Sequence, residues 1–77
     1  MIPYGELKTV YDIHKAGQTK FTRRMAINIA DWFDVPVRDL IHQLERDGIV
    51  KQGTWDWFVA NGGITADHIR QVREERV

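Results

Sequence analysis

Arg38, Asp39, His42, Gln43 and Arg46 crowd into one short stretch of the chain, and each can make directional hydrogen bonds. On a helix lying in the major groove of a duplex, Arg38 or Arg46 would bind guanine bidentately. Gln43 would read adenine, and Asp39 would accept from cytosine while repelling phosphate. His42 can donate or accept. The alternative is an ordinary polar helix face with intrahelical pairs, Arg38 near His42 or Asp39 near Gln43. A second group is cationic. Residues 8–24 hold Lys8, Lys15, Lys20, Arg23 and Arg24 against Asp12 alone, whereas residues 31–47 hold Asp31, Asp34, Asp39, Glu45 and Asp47 against Arg38 and Arg46. Catalytic chemistry has no comparable support. His14, His42 and His68 are widely spread, and none pairs with carboxylates at metal-ligand spacing. There is no phosphate-cradling glycine loop, no nucleophile motif and no cysteine. No enzyme activity, cofactor or metal is expected.

The elements that would position these groups follow from apolar periodicity. Thr22 is placed to cap a helix by accepting from first-turn N–H groups. Behind it, Met25, Ala26, Ile29, Ala30 and Phe33 form one helical face. Pro36 disfavours α geometry at Val35 and suits the first turn of a new helix. Val37, Leu40, Ile41 and Leu44 then share the apolar face of a second helix, and Gly48 ends it in the left-handed conformation. Ile49 and Val50 are β-branched, which favours a strand. Upstream, Leu7, Val10, Tyr11 and His14 give a first helix over 6–16, with Ile13 at its edge, Gly17 beyond its end and Pro3 and Gly5 before it. His14 reads as a structural histidine. Phe21, just before the cap, can serve as a hydrophobic staple.

Residues 22–50 resemble a helix-turn-helix, and Leu44-Glu45-Arg46-Asp47-Gly48-Ile49-Val50 is similar to the end of the recognition helix in winged-helix proteins. Ala30 matches that family's small residue facing the partner helix, Phe33 the hydrophobic residue three positions on, and Val35 the buried aliphatic of the turn. Asp34 stands where glycine is usual; aspartate tolerates positive φ better than most residues. The resemblance implies a mainly α domain with a small β-hairpin: helices 6–16, 23–33, 37–47 and 66–76, and a hairpin over 49–59, in one domain spanning 1–77. It also implies double-stranded DNA as partner, with helix 37–47 in the major groove. Base contacts would come from Arg38, His42, Gln43 and Arg46, and phosphate contacts from Lys20, Thr22, Arg23, Arg24 and Lys51. Arg23 and Arg24 can be read as solvated surface cations or as phosphate contacts; their slightly unfavourable place at a helix N-terminus tilts the reading towards phosphate. Dimers through a terminal helix are common in this family, so a homodimer through helix 66–76 is permitted. The small size is similar to that of phage and mobile-element proteins.

Residues 51–63 support two readings. As a wing, Ile49 to Lys51 pairs with Trp55 to Val59 across Gln52-Gly53, and Trp55, Trp57 and Val59 share one face. As a short helix, Thr54 is the cap, Asp56 lies at the positive dipole end, Gly62 terminates it, and Trp55, Phe58 and Val59 face inward. The resemblance favours the hairpin, and the caps favour the helix. Thr65 then caps a last helix carrying Ile69 and Val72, with Asp67 early and Arg73 and Arg76 late.

Composition bounds the function. The 77 residues are 43% hydrophobic and carry no net charge. That supports one small folded domain and argues against a strong non-specific nucleic-acid binder. No run is long enough for a membrane span, no apolar leader is evident, and the lack of cysteine suits a reducing compartment, so a cytoplasmic location is expected. A small transcriptional regulator is the leading expectation. The alternative is a protein-binding adaptor or inhibitor. Trp32, Trp55 and Trp57 are more rings than so small a core can enclose, and Trp55, Trp57 and Phe58 would form its interface.

Overall fold

Pro3 begins the first helix because it needs no N–H there; its carbonyl accepts from Leu7 N–H at 3.0 Å. Helix α1 therefore spans Tyr4–Lys15, two residues ahead of the expected start, with Gly5 in its first turn. The computed structural model describes residues 1–76. After α1 come α2 (Arg23–Phe33), α3 (Val37–Arg46), α4 (Thr54–Ala60) and α5 (Ala66–Glu75). The boundaries of α3 and α5 fall one residue short of expectation, within ordinary fraying.

Thr22 caps α2 as its type predicts, accepting from Met25 N–H at 3.3 Å. The corner after α2 is closed by backbone alone. Asp34 takes φ 55°. Asp34 N–H then reaches Asp31 O at 3.2 Å, and Val35 N–H reaches Ala30 O at 3.0 Å. This is the paired closure of a left-handed helix end, made with aspartate instead of glycine. Pro36 follows as the cap residue of α3. Ala30, fully buried, lets the two helices approach. Leu7, Val10 and Tyr11 of α1, Met25 and Ile29 of α2, and Leu40 and Leu44 of α3 fill the main core.

The expected β-hairpin over 49–59 is absent: the described residues hold five helices and no strand. Gly48, at φ +74°, closes α3 by the same scheme, with Gly48 N–H to Glu45 O at 3.1 Å and Ile49 N–H to Leu44 O at 2.9 Å. Val50 N–H also points back to Leu44 O, at 3.3 Å. The two β-branched residues thus fold over the end of α3 instead of extending. Glu45 then fastens the turn. Its carboxylate accepts Gly53 N–H at 2.5 Å, while its carbonyl accepts from Gln52 Nε2 at 2.5 Å. Helix α4 starts directly after Gly53, whose φ is +89°.

A lone two-stranded ribbon would be marginal and would put Phe58 on the face opposite Trp55 and Trp57. Helical spacing turns Trp55 and Phe58 the same way. Phe58 is buried to 2% exposure beside Ala26 and Ile41, with Trp55 packed against that cluster. The helical reading of this stretch is the correct one, with two amendments. Gly53, not Thr54, is the cap residue, and Val59 faces outward.

Gly63 N–H donates to Phe58 O at 2.7 Å and ends α4. Thr65 and His68 form a reciprocal cap on α5: Thr65 Oγ1 accepts His68 N–H, and His68 Nδ1 accepts Thr65 N–H at 3.1 Å. Here histidine takes the place usual for glutamate. Helix α5 buries Val72 and lies on α2 through ion pairs from Arg73 and Arg76 to Asp31 and from Glu75 to Arg24. Among the described residues no helix is long and apolar enough to cross a membrane.

Candidate nucleic-acid interface

Helix α3 is buried around more than half its circumference. Leu40 and Leu44 face α1 and α2, and Ile41 faces α4. Two polar residues flank that apolar arc and are drawn inward. Gln43 is 7% exposed. Its Nε2 donates to Ile2 O at 2.5 Å, and its Oε1 accepts from Ile2 N–H at 3.3 Å, which ties the N-terminal segment along α3. Its amide is therefore not presented to a partner. Glu45 is spent on the α3–α4 turn.

What remains outward is a strip of Arg38, His42 and Arg46 at i, i+4, i+8 spacing, with Asp39 beside it. Arg38, Asp39 and Arg46 are exposed. Among the described residues, the ion pairs include neither arginine. His42 is half-buried, and its ring meets Trp55 edge-on at a centroid distance of 5.8 Å. Trp55 thereby fixes the histidine from the side; nothing in the spacing of the two residues announced this. A furrow of about 310 Å³ runs beside the strip, bounded by Met1 and Ile2 on one side and by Asp39, His42 and Arg46 on the other.

The cations expected at phosphates are dispersed. Arg23 is turned into the fold: Nε donates to Gly63 O at 2.9 Å and Nη2 to Asn61 O at 3.0 Å, with the guanidinium 5.7 Å from the Phe58 ring centroid. It serves as a clamp between the start of α2 and the α4–α5 loop. Arg24 remains exposed and pairs bidentately with Glu75 at 2.9 and 3.3 Å. Thr22 is engaged as the cap of α2. Lys20 and Lys51 both line a separate groove to which α3 contributes no side chain. Trp57 stands 60% exposed and touches buried Phe58 edge-on, while half-buried Trp55 packs elsewhere, against His42.

A cluster of ion pairs joins α5 to α2. Arg73, set against burial and helped by Arg76, holds the Asp31 carboxyl down at about 2. The Asp31 carboxylate is four-fifths covered, while both arginines are largely exposed. Among the described residues no group of three His, Asp or Glu side chains is placed to hold a metal ion.

Comparison with protein-family models, curated proteins and solved structures found no match.

Proposed function

We propose that this chain is a small DNA-binding regulator of the helix-turn-helix kind, without a wing, that presents α3 to the major groove of a duplex in the cytoplasm. The reading is supported above all by the outward strip of Arg38, His42 and Arg46 on the second helix of the α2–α3 corner, with both arginines free of acid partners among the described residues. Ten residues of helix give a rod of ~15 Å, long enough for both arginines to reach base edges in a groove ~12 Å wide. Arg38 and Arg46 bind guanine, and His42, steadied by Trp55, reads between them. Arg24, at the start of α2, supplies a phosphate contact. Its exposed pair with Glu75 is weak enough to exchange. The cations available are few, so binding rests on base contacts and depends only modestly on salt.

Fluorescence anisotropy on duplexes selected from a random pool tests this at low and physiological salt. Arg38→Ala and Arg46→Ala should each cost ~1–3 kcal/mol of discrimination at one base pair. Arg24→Ala should weaken all duplexes alike and flatten the salt dependence by about one charge. Failure to enrich any duplex, or selected duplexes that bind both arginine variants as well as wild type, would overturn the proposal.

A further inference from the structure

The groove that gathers Lys20 and Lys51 is a separate feature, and it goes beyond the duplex reading. It is about 490 Å³ in volume, and its lining includes buried Tyr11 and Phe58 with half-buried Phe21 and Val50. The three rings contact in series, Tyr11 to Phe21 at 5.7 Å and Phe21 to Phe58 at 6.1 Å, so the surface is set by packed side chains. Trp57 stands exposed at its edge, edge-on to Phe58 at 5.4 Å. Both lysines are exposed, the ion pairs among the described residues include neither, and no acidic residue lines the groove. In a chain with no net charge, an apolar groove whose only charges are two cations is a selective arrangement.

We propose that this groove docks a segment of a partner protein that carries a large apolar anchor flanked by aspartate or glutamate. The anchor lies against Phe21 and Phe58 under Trp57, and the acids meet Lys20 and Lys51. Exposed tryptophan beside a packed apolar floor, with charge at the rim, is the layout of an energetically concentrated protein contact. The groove is open along the surface, which suits a peptide segment better than an enclosed small molecule.

The test pans a random peptide library displayed on phage against the full chain. Enriched peptides are then synthesised with a fluorescent label and titrated against wild type, Trp57→Ala and the double variant Lys20→Glu/Lys51→Glu. All three positions are exposed, so folding should survive, and circular dichroism checks that it does. Enriched sequences should pair an aromatic or large aliphatic residue with neighbouring acids. Each variant should weaken them by about tenfold or more while leaving duplex binding unchanged. No enrichment, enrichment without acids, or undiminished binding to the charge-reversed protein would overturn the proposal. So would two other occupants: a wild-type dimer that the double variant makes monomeric, or duplex binding that the double variant abolishes. Arg38→Ala and Arg46→Ala leave the groove intact, so failure of the duplex reading is seen independently.

Discussion

The chain before Asp47 and the chain after it are stabilised in different ways. Helices α1 to α3 share a continuous apolar core, and each contributes several fully or nearly fully covered side chains. Beyond Asp47, only Phe58 and Val72 are buried apolar residues among those described. The later part has one small apolar anchor around Phe58 and is otherwise held by individual polar contacts. Glu45 grips the Gly53 amide, Arg23 grips the Asn61 and Gly63 carbonyls, and Asp31 grips Arg73 and Arg76. Non-directional burial tolerates small errors of placement; a fastening made of single hydrogen bonds does not. The α4–α5 segment should therefore be the part that opens first, and both proposed surfaces depend on it, through Trp55 on one side and Trp57 on the other.

Removing the one fully buried aromatic of the later segment tests this difference most severely. Phe58→Ala should cost ~3–5 kcal/mol. A core variant such as Leu44→Ala costs a similar amount and should weaken the whole chain. Phe58→Ala should instead open α4 while α1–α3 stay folded. Hydrogen exchange resolves the two: amides of α2 and α3 should stay protected in Phe58→Ala and lose protection in Leu44→Ala. Equal loss everywhere in both would break the distinction.

Glu45→Ala should come next, at ~1–3 kcal/mol, because it leaves the Gly53 amide without its acceptor. Glu45→Gln keeps an acceptor oxygen and should recover a good part of the loss. Urea melts of the two variants provide the measurement. If Ala and Gln cost the same, the carboxamide has failed to replace the carboxylate, and charge rather than the hydrogen bond holds the turn.

The same division governs what could be read from the residues. Ala30, Asp34, Val35 and Pro36 act within a few positions of one another, so the α2–α3 corner was legible in advance. The turn after α3 was not, because its fastening links Glu45 to a backbone amide eight residues on, and no residue type marks that partner. Ile49-Val50 favoured a strand locally, and the closure onto Leu44 overrode the preference. The outward strip of α3 follows from periodicity, but Gln43 lies at its flank, where periodicity alone does not decide between partner and core. Its position one turn after Leu40, at the margin of the apolar arc, was a hint that it faces inward. Arg23 gave no such sign, since its acceptors are carbonyls of a distant loop. Nor did the placing of Lys20 and Lys51 on one groove, since they lie 31 positions apart in the chain.

Acid should loosen the later segment through Asp31. Its carboxyl is held at about 2, below the ordinary 3.8, so the carboxylate contributes stability above pH 4. That contribution is lost as pH falls from about 4 towards 2. The gap corresponds to ~2 kcal/mol at full strength, and screening of the exposed arginines brings it nearer ~1 kcal/mol. Asp31→Asn should remove this part of the acid sensitivity, read as the difference between wild-type and variant melting temperatures across that range. A difference that does not change with pH would mean the ion pairs add nothing to docking of α5.

The smallest expected effect separates the two corners most cleanly. Asp34 holds φ 55°, a conformation that costs most L-residues ~1–2 kcal/mol and aspartate somewhat less. Among the described residues its side chain makes no hydrogen bond or close ion pair and feels Arg73 only as a more distant charge, so the backbone closure is what mainly sets this conformation. Asp34→Gly relieves the strain and gives back part of the gain as extra freedom in the unfolded chain, for a net stabilisation of ~0.5 kcal/mol. For a domain of this size that raises the melting temperature by about 2–4 °C. Gly48→Ala, which imposes the same strain at the second corner, should cost ~1 kcal/mol in the other direction. Opposite signs at two positions that share one backbone conformation would show that the first corner needs no side-chain fastening. A lower melting temperature for Asp34→Gly would show the contrary: the aspartate itself helps hold the corner, and both halves of the chain then depend on single polar groups.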